Sequence, residues 1–513
     1  GYSDLNSDSA KAYEYLTDKF KVQEPAAILV IDTGDRSVND PDVIAEAAAL
    51  EAQVKSVAQV DRTLSYWTTG GAPSMKAADD KAAFLFIFSD PDSNDWAALE
   101  KIGREVQAKF DGKQGNFTVY ASGAGVITHA INNKIKEDLF LAEAIAIPLT
   151  FILLIFVFGA MVASAMPLVV GVSAILGSFL IIYILTLFTD VSVFALNLIT
   201  GLGLGLGIDY ALLIVNRFRE ELHAGKSVDE SVVTTVATAG KTVFYSGLTV
   251  FVTMASLLLF PLNFLKSFGY AGVAVISLAV LGALIPLPAL LAILGHKIDK
   301  GVIRKAGIVP SEDGRWARTA RTVMKRPVPV VIGSLLILGV LAAPITNIAF
   351  AQVDARVLPK SDPAAVASTV IDDRFTGLEG SPIEVVIPDG KGKEIEINNF
   401  LARVQGVYGI SRVGQIEYFG NDVRVQVISS EQSRTLDAQR IIHEIRDLPV
   451  PEGTLIGGAA ADFTDSQDGI ARTLPWALGW IALSVFILIF VFTGSIILPR
   501  VFRTFSLVSS IRN

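Results

Sequence analysis

Nearly uncharged apolar runs of about 20 residues recur along this chain, at 139–163, 165–188, 193–216, 243–260, 270–294, 328–350 and 474–498. That length matches the roughly 30 Å of hydrocarbon that a helix must cross. One such run can be a buried core helix, but seven exceed what a soluble core would absorb. The chain is therefore read as an α-helical polytopic membrane protein. Composition agrees, because 51% hydrophobic residues and a mean hydropathy of +0.50 leave too little polar surface for a soluble enzyme.

Charge sets the expected orientation. The segment 296–327 carries Lys297, Lys300, Arg304, Lys305, Arg315, Arg318, Arg321, Lys325 and Arg326, and the loop expected after Asn216 opens with Arg217 and Arg219. Basic loops stay in the cytoplasm. Threading the seven runs on that rule places 1–138 and 351–473 outside, and Arg500 and Arg503 inside. The net charge of −8 gives no overall basic field, so nucleic acid is not an expected partner. Cysteine is absent, which excludes disulfides, thiolate catalysis and cysteine-bound zinc.

Both outside segments show one order of elements. In the first, the pattern predicts strand 27–31, helix 41–56, strands 60–67 and 82–88, helix 96–110 and strand 117–121. In the second it predicts strand 383–387, helix 396–404, strands 410–418 and 423–428, helix 436–446 and strand 454–456. Each is βαββαβ, the ferredoxin-like split βαβ unit. The runs that follow also share wording, FILLIFVFGAMVASAMP from Phe151 against FILIFVFTGSIILP from Phe486. Together these indicate an internal duplication. The expected division is an outer domain at 1–138, a five-helix bundle at 139–295, a basic cytoplasmic loop at 296–327, a span at 328–350, a second outer domain at 351–473 and a span with its continuation at 474–513. By internal symmetry, four more spans are expected beyond Asn513 and one before Gly1, making twelve, with a natural seven-span protein as the alternative.

The third run, VSVFALNLITGLGLGLGIDYALLIVNRFREEL, holds an acid at depth. Asp209 lies eight positions before Arg217, about 12 Å along a helix, and an ionised Asp at a helix centre costs on the order of 2.5 to 3.5 kcal/mol. It must be neutral, paired or hydrated. Gly201, Gly203, Gly205 and Gly207 before it form two overlapping GxxxG pairs, which permit close helix approach whether or not transport is involved. Tyr210 adds a phenol able to donate to a carboxylate. Ser246 and Thr249, in KTVFYSGLTVFVTMAS, add hydroxyls that serve either a relay or intrahelical bonds.

GLGLGLGIDYALLIVNRFREEL, followed by a GKT helix start and FYSGLTVFVTMASLLLFP, resembles the signature of the MMPL family of resistance-nodulation-division transporters, especially its trehalose monomycolate exporter branch. The resemblance implies two extracytoplasmic porter domains on a duplicated bundle in a bacterial inner membrane. It implies proton-driven export of a cell-envelope glycolipid with no cofactor and no enzymatic step, and partners among cell-envelope accessory proteins. It maps a proton relay onto Asp209 and Tyr210, with Ser246 beside them, opposite a second Asp-Tyr pair in C-terminal helices that this sequence does not contain.

Other motifs fail. Gly240-Lys241-Thr242 is preceded at the fifth position by Thr235, so the phosphate-loop pattern is not met. His129, His223, His296 and His443 are scattered, so no metal centre or hydrolytic triad is expected. Two other readings share the architecture: a non-transporting sterol-sensing type of receptor or scaffold, and a proton-assisted protein translocation factor. A second Asp-Tyr pair would separate the transporter from the receptor, and lipid-sized rather than peptide-binding outer domains would separate it from the translocation factor.

Overall fold

The computed structural model describes residues 4–90, 96–303, 315–344, 354–375 and 382–494. They fall into two units, one of Ser3–Phe140 with Ala351–Asp468 and the other chiefly of Leu141–Phe350 with Gly469–Asn513.

The first unit contains α1 (Asp8–Asp18), β1 (Ala27–Asp32), α2 (Pro41–Lys55), β2 (Val60–Ser65), β3 (Ala82–Ser89), α3 (Trp96–Phe110), β4 (Gly112–Gln114), β5 (Phe117–Ser122) and the start of α4 (Ala124–Phe158). It resumes after the spans described below. Strand order is β2-β3-β1-β5-β4, antiparallel throughout. The expected βαββαβ elements are present, and the short β4 and α1 are additions. Strand β3, AAFLFIFS, is apolar without alternation and buried along almost its whole length. Such a strand needs cover on both faces. α2 and α3 supply one layer through Val43, Ala47, Leu50, Val54, Leu99, Ile102 and Val106.

The membrane-length helices belong to the second unit. After α4 come α5 (Met161–Leu185), α6 (Phe194–His223), α7 (Val228–Thr235), α8 (Lys241–Ala255), α9 (Asn263–Leu284), α10 (Pro286–Leu294), α11 (Arg315–Lys325) and α12 (Pro327–Ala342). The first unit then continues with α13 (Pro363–Arg374), β6 (Ile383–Ile387), α14 (Glu394–Gln405), β7 (Ile410–Phe419), β8 (Asp422–Ser429), α15 (Leu436–Asp447) and β9 (Leu455–Gly457), and α16 (Ala459–Thr493) closes the described chain. The second sheet runs β7-β8-β6-β9. Its order matches β2-β3-β1-β5 of the first sheet, element for element. Its core joins Val385, Ile387, Val425 and Ile456 to Phe400, Val404, Ile441 and Ile445 of the two covering helices.

Each sheet borrows a helix from the other half of the sequence. Val370 and Ile371 of α13, with Phe375 just beyond it, pack on the Val30, Tyr66 and Phe84 face of the first sheet. Phe375 stacks on Phe84 at 3.8 Å. Arg374 anchors the helix through Asp32 at 2.6 Å and Asp79 at 3.1 Å. Conversely, α1 packs along β9 and β6 of the second sheet. The Ser9 amide donates to Asp465 Oδ2 at 3.0 Å, and Asp465 accepts a two-pronged pair from Arg446 at 2.6 and 3.0 Å. The exchange welds the two sheets into one body. Nothing in the polar sequence of α1 announces it.

Two glycines launch the long helices. Gly123 lies between β5 and α4 with φ +99°, and Gly458 between β9 and α16 with φ +92°. A Cβ at either position would strike backbone, Ile28 N at 2.9 Å or Pro382 O at 2.3 Å. Only glycine takes both the left-handed turn and the close approach.

Among the described residues, six helices are long and apolar enough to cross a membrane, or seven if α11 and α12 count as one bent span. Several boundaries differ from the sequence reading. The first run is split before its expected end, because Gly159 takes φ +71° and stops α4 at Phe158. α6 continues to His223, so Arg217 and Arg219 are helical and not in a loop. Gly225, φ +91°, supplies the missing stop. Arg318, Arg321 and Lys325 also stand on a helix, α11, where a loop was expected. Residues 304–314, 345–353 and 495–513 lie outside the described residues, and with them Arg304, Lys305, Arg500, Arg503 and the ends of the last two runs.

Burial alone would raise the Asp465 carboxyl, but Arg446 and the Ser9 amide outweigh it and hold the group below its ordinary range. A depressed folded value contributes stability above the unfolded value and loses it as pH falls toward the folded one. Asp465→Asn is expected to weaken the first unit by about 2 kcal/mol at pH 7 and to reduce its loss of stability between pH 5 and pH 3. Thermal unfolding at both pH values, read by protease cleavage within α1, checks this.

Candidate functional site

The site is built on α6. The helix carries glycine at every second position from Gly201 to Gly207, and the 3.6-residue repeat divides these onto two faces. Gly203 and Gly207 face neighbours. A Cβ on Gly207 would lie 2.7 Å from Gly171 Cα of α5, and one on Gly203 would lie 2.5 Å from Ile175 Cγ1. Both clashes are with α5: Gly203 leaves room for the Ile175 side chain, and at Gly171 and Gly207 the two helices meet backbone to backbone. Gly201 and Gly205 are exposed, and a Cβ added at either would meet no atom within 4 Å among the described residues.

Asp209 continues the open stripe. Gly201, Gly205, Asp209 and Leu213, spaced four apart, are all exposed. Among the described residues no side chain gives the Asp209 carboxylate a hydrogen bond or ion pair. Tyr210, one position on, turns inward and is 1% exposed. It packs with Val243, Ala279 and Ala283, and its Oη has no hydrogen-bond partner among the described residues. Gly247 of α8 makes room for Val280 of α9: a Cβ there would lie 2.2 Å from Val280 Cγ2, whereas the Tyr210 oxygen would stand at an ordinary contact distance of 3.7 Å. Ser246 is exposed on α8. Thr249 donates its hydroxyl to Tyr245 O at 2.8 Å, an intrahelical bond.

The last described span lies along α8. Trp480 Nε1 donates to Val252 O at 3.3 Å, and Phe492 packs on Tyr245 with ring centroids 4.7 Å apart. Glu143, four residues into the first run, is a second acid within membrane-length sequence and is half-buried.

A polar cluster at the far end of α6 was not anticipated. Arg219, 6% exposed, donates through Nε to Asp299 Oδ1 at 2.8 Å and through Nη1 to Phe158 O at 3.0 Å. His223 Nε2 stands 3.1 Å from Asp299 Oδ2, and its Nδ1 is 2.7 Å from Arg219 O. The guanidinium thereby ties the end of α4 and the turn after α10 to α6. Orientation rules count Arg219 only as a cytoplasmic charge, and only the extension of α6 to His223 brings it inward. Among the described residues, no three His, Asp or Glu side chains converge as a metal site would require.

Several membrane-length helices, in a chain that also forms two split-βαβ sheets, define a polytopic membrane protein. The MMPL family model matches residues 2–330, and the chain belongs to that family. Similar proteins include a membrane protein of Streptomyces coelicolor, 34% identical over 90% of this chain and 64% of its own length. The trehalose monomycolate exporter MmpL3 of Mycobacterium tuberculosis is 28% identical over 85% of this chain and 50% of its own. The mycolic acid-containing lipids exporter MmpL11 of Mycolicibacterium smegmatis is 26% identical over 97% of this chain and 54% of its own. The chain thus spans between half and two thirds of the length of these relatives.

The two glycine faces make opposite expectations. Gly207→Ala forces α5 and α6 apart and should cost about 1 to 3 kcal/mol of bundle stability, as overpacking does. Gly205→Ala meets nothing and should leave the stability of this chain within about 0.5 kcal/mol. Thermal melts in one detergent compare them directly.

Proposed function

We propose that this chain forms the greater part of a proton-driven exporter of a cell-envelope lipid, with trehalose monomycolate or a related glycolipid as cargo. Asp209 carries the reading. Its carboxylate sits on an exposed, glycine-lined face of a membrane-length helix, and hydrocarbon does not accept such a group in charged form. Another surface has to cover it. The relatives, up to twice as long, include exporters named for mycolic acid-containing lipids. Further helices with a second Asp-Tyr pair fit that role.

In this mechanism Asp209 takes a proton from outside, becomes neutral, and loses it to the cytoplasm after the bundle rearranges. The charged form needs water or a partner, and the neutral form does not. A proton crossing 100 mV yields about 2.3 kcal/mol. That is enough to shift a two-state equilibrium about fiftyfold. In this reading Tyr210 and Ser246 pass or hold the proton, whereas Thr249 has its hydroxyl committed within α8. The unit that holds the two sheets lies outside the cell under the basic-loop rule. Cargo drawn from the outer leaflet would be handled there, with envelope accessory proteins receiving it.

Asp209→Asn keeps the shape and removes the titration. In the full-length protein, reconstituted with an imposed pH gradient, it should abolish gradient-dependent transfer of trehalose monomycolate. Transfer that persists at the parental rate would sink the relay. Gradient-driven movement of a peptide but no lipid would point to translocation of protein instead.

A further inference from the structure

The twelve residues 315–326, RWARTARTVMKR, contain five basic residues and no acid. They form α11 and its junction with α12. At 100° per residue, Arg318, Arg321, Thr322 and Lys325 share one side, while Ala317, Ala320, Val323 and Met324 share the opposite one. The two sides do not intermix. Met324 is 71% exposed and Val323 41%, so the apolar side is not used up by packing within this chain. The axis of α11 meets that of α12 at 99°. α12 is a Val, Leu and Ile helix that buries none of its residues against the rest of the chain, as a lipid-embedded span does.

A right-angle turn out of a membrane span lays the preceding helix in the plane of the bilayer surface. A re-entrant path into the hydrocarbon would carry Arg318, Arg321 and Lys325 with it, against their charge. From this geometry we infer that α11 is an interfacial helix that docks on anionic lipid headgroups of its own leaflet, its apolar side in the acyl boundary and its basic side among phosphates. Amphipathic helices with a basic polar face bind membranes in this way. The occupant is lipid and not protein, because one side is matched to hydrocarbon, the other to a negative surface, and the adjoining span fixes the height. Docking then makes the entry of α12 sensitive to the charge of the leaflet.

The absence of cysteine allows a single label. Met324→Cys and Thr322→Cys, on opposite sides of α11, carry a polarity-sensitive dye in the whole chain, reconstituted in nanodiscs of phosphatidylcholine alone or with about 30% phosphatidylglycerol, an anionic surface of the kind basic helices bind. With phosphatidylglycerol the Met324→Cys label should be quenched by nitroxide lipid and shielded from acrylamide, and the Thr322→Cys label the reverse. Replacing Arg318, Arg321 and Lys325 by Gln should lower the docking equilibrium about fivefold per charge. The comparison of the two lipids stands without that variant should it insert poorly. Equal acrylamide access at Met324→Cys in both lipids would overturn docking. Shielding of both sites would mean a protein covers the helix. Docking indifferent to headgroup charge would overturn the anionic partner.

Discussion

An ionisable group on a membrane-length helix has few stable settings, and the arrangement around Asp209 follows from that restriction. The carboxylate must be neutral, hydrated or matched by another polar surface. The helix that bears it is glued to α5 on one side, through Gly203 and Gly207, and left bare on the other, through Gly201 and Gly205. Had all four glycines packed against the same neighbour, Asp209 would have no room to meet a partner. Had none packed, α6 would have no defined place in the bundle. The alternation of Gly and Leu divides close packing from open surface with a single residue type.

Much of this was legible in the sequence. Apolar runs and alternating strands are local signals, and the membrane helices and both sheets appear where those signals lie. The acid at 209 stood out because its surroundings are apolar. The missed features share a different character. α1 and α13 exchange between the two sheets, but their partners lie hundreds of residues away and their own sequences read as ordinary surface helices. The break at Gly159 was hidden because a glycine in an apolar helix is as often a packing site as a stop. Arg219 looked like a terminal charge until α6 proved to extend past it.

The candidate site residues show their chemical kind in the sequence and not their direction. Tyr210 and Asp209 are neighbours in sequence yet point to different places, the phenol into the bundle and the carboxylate out of it, because adjacent residues on a helix are about 100° apart. Ser246 and Thr249 likewise lie within one turn of α8 but differ in use, one hydroxyl exposed and the other spent on Tyr245 O. Residue type reveals what a group can do, whereas the helical phase set by neighbouring contacts decides what it meets.

The seam between Gly171 and Gly207 has a mechanical meaning. Where two helices touch through main-chain atoms, no rotamer is left to cushion a twist of one against the other. α5 and α6 therefore travel as a single plank. Under the proposed uptake of a proton at Asp209, the compliant joint has to be found at another edge of that plank.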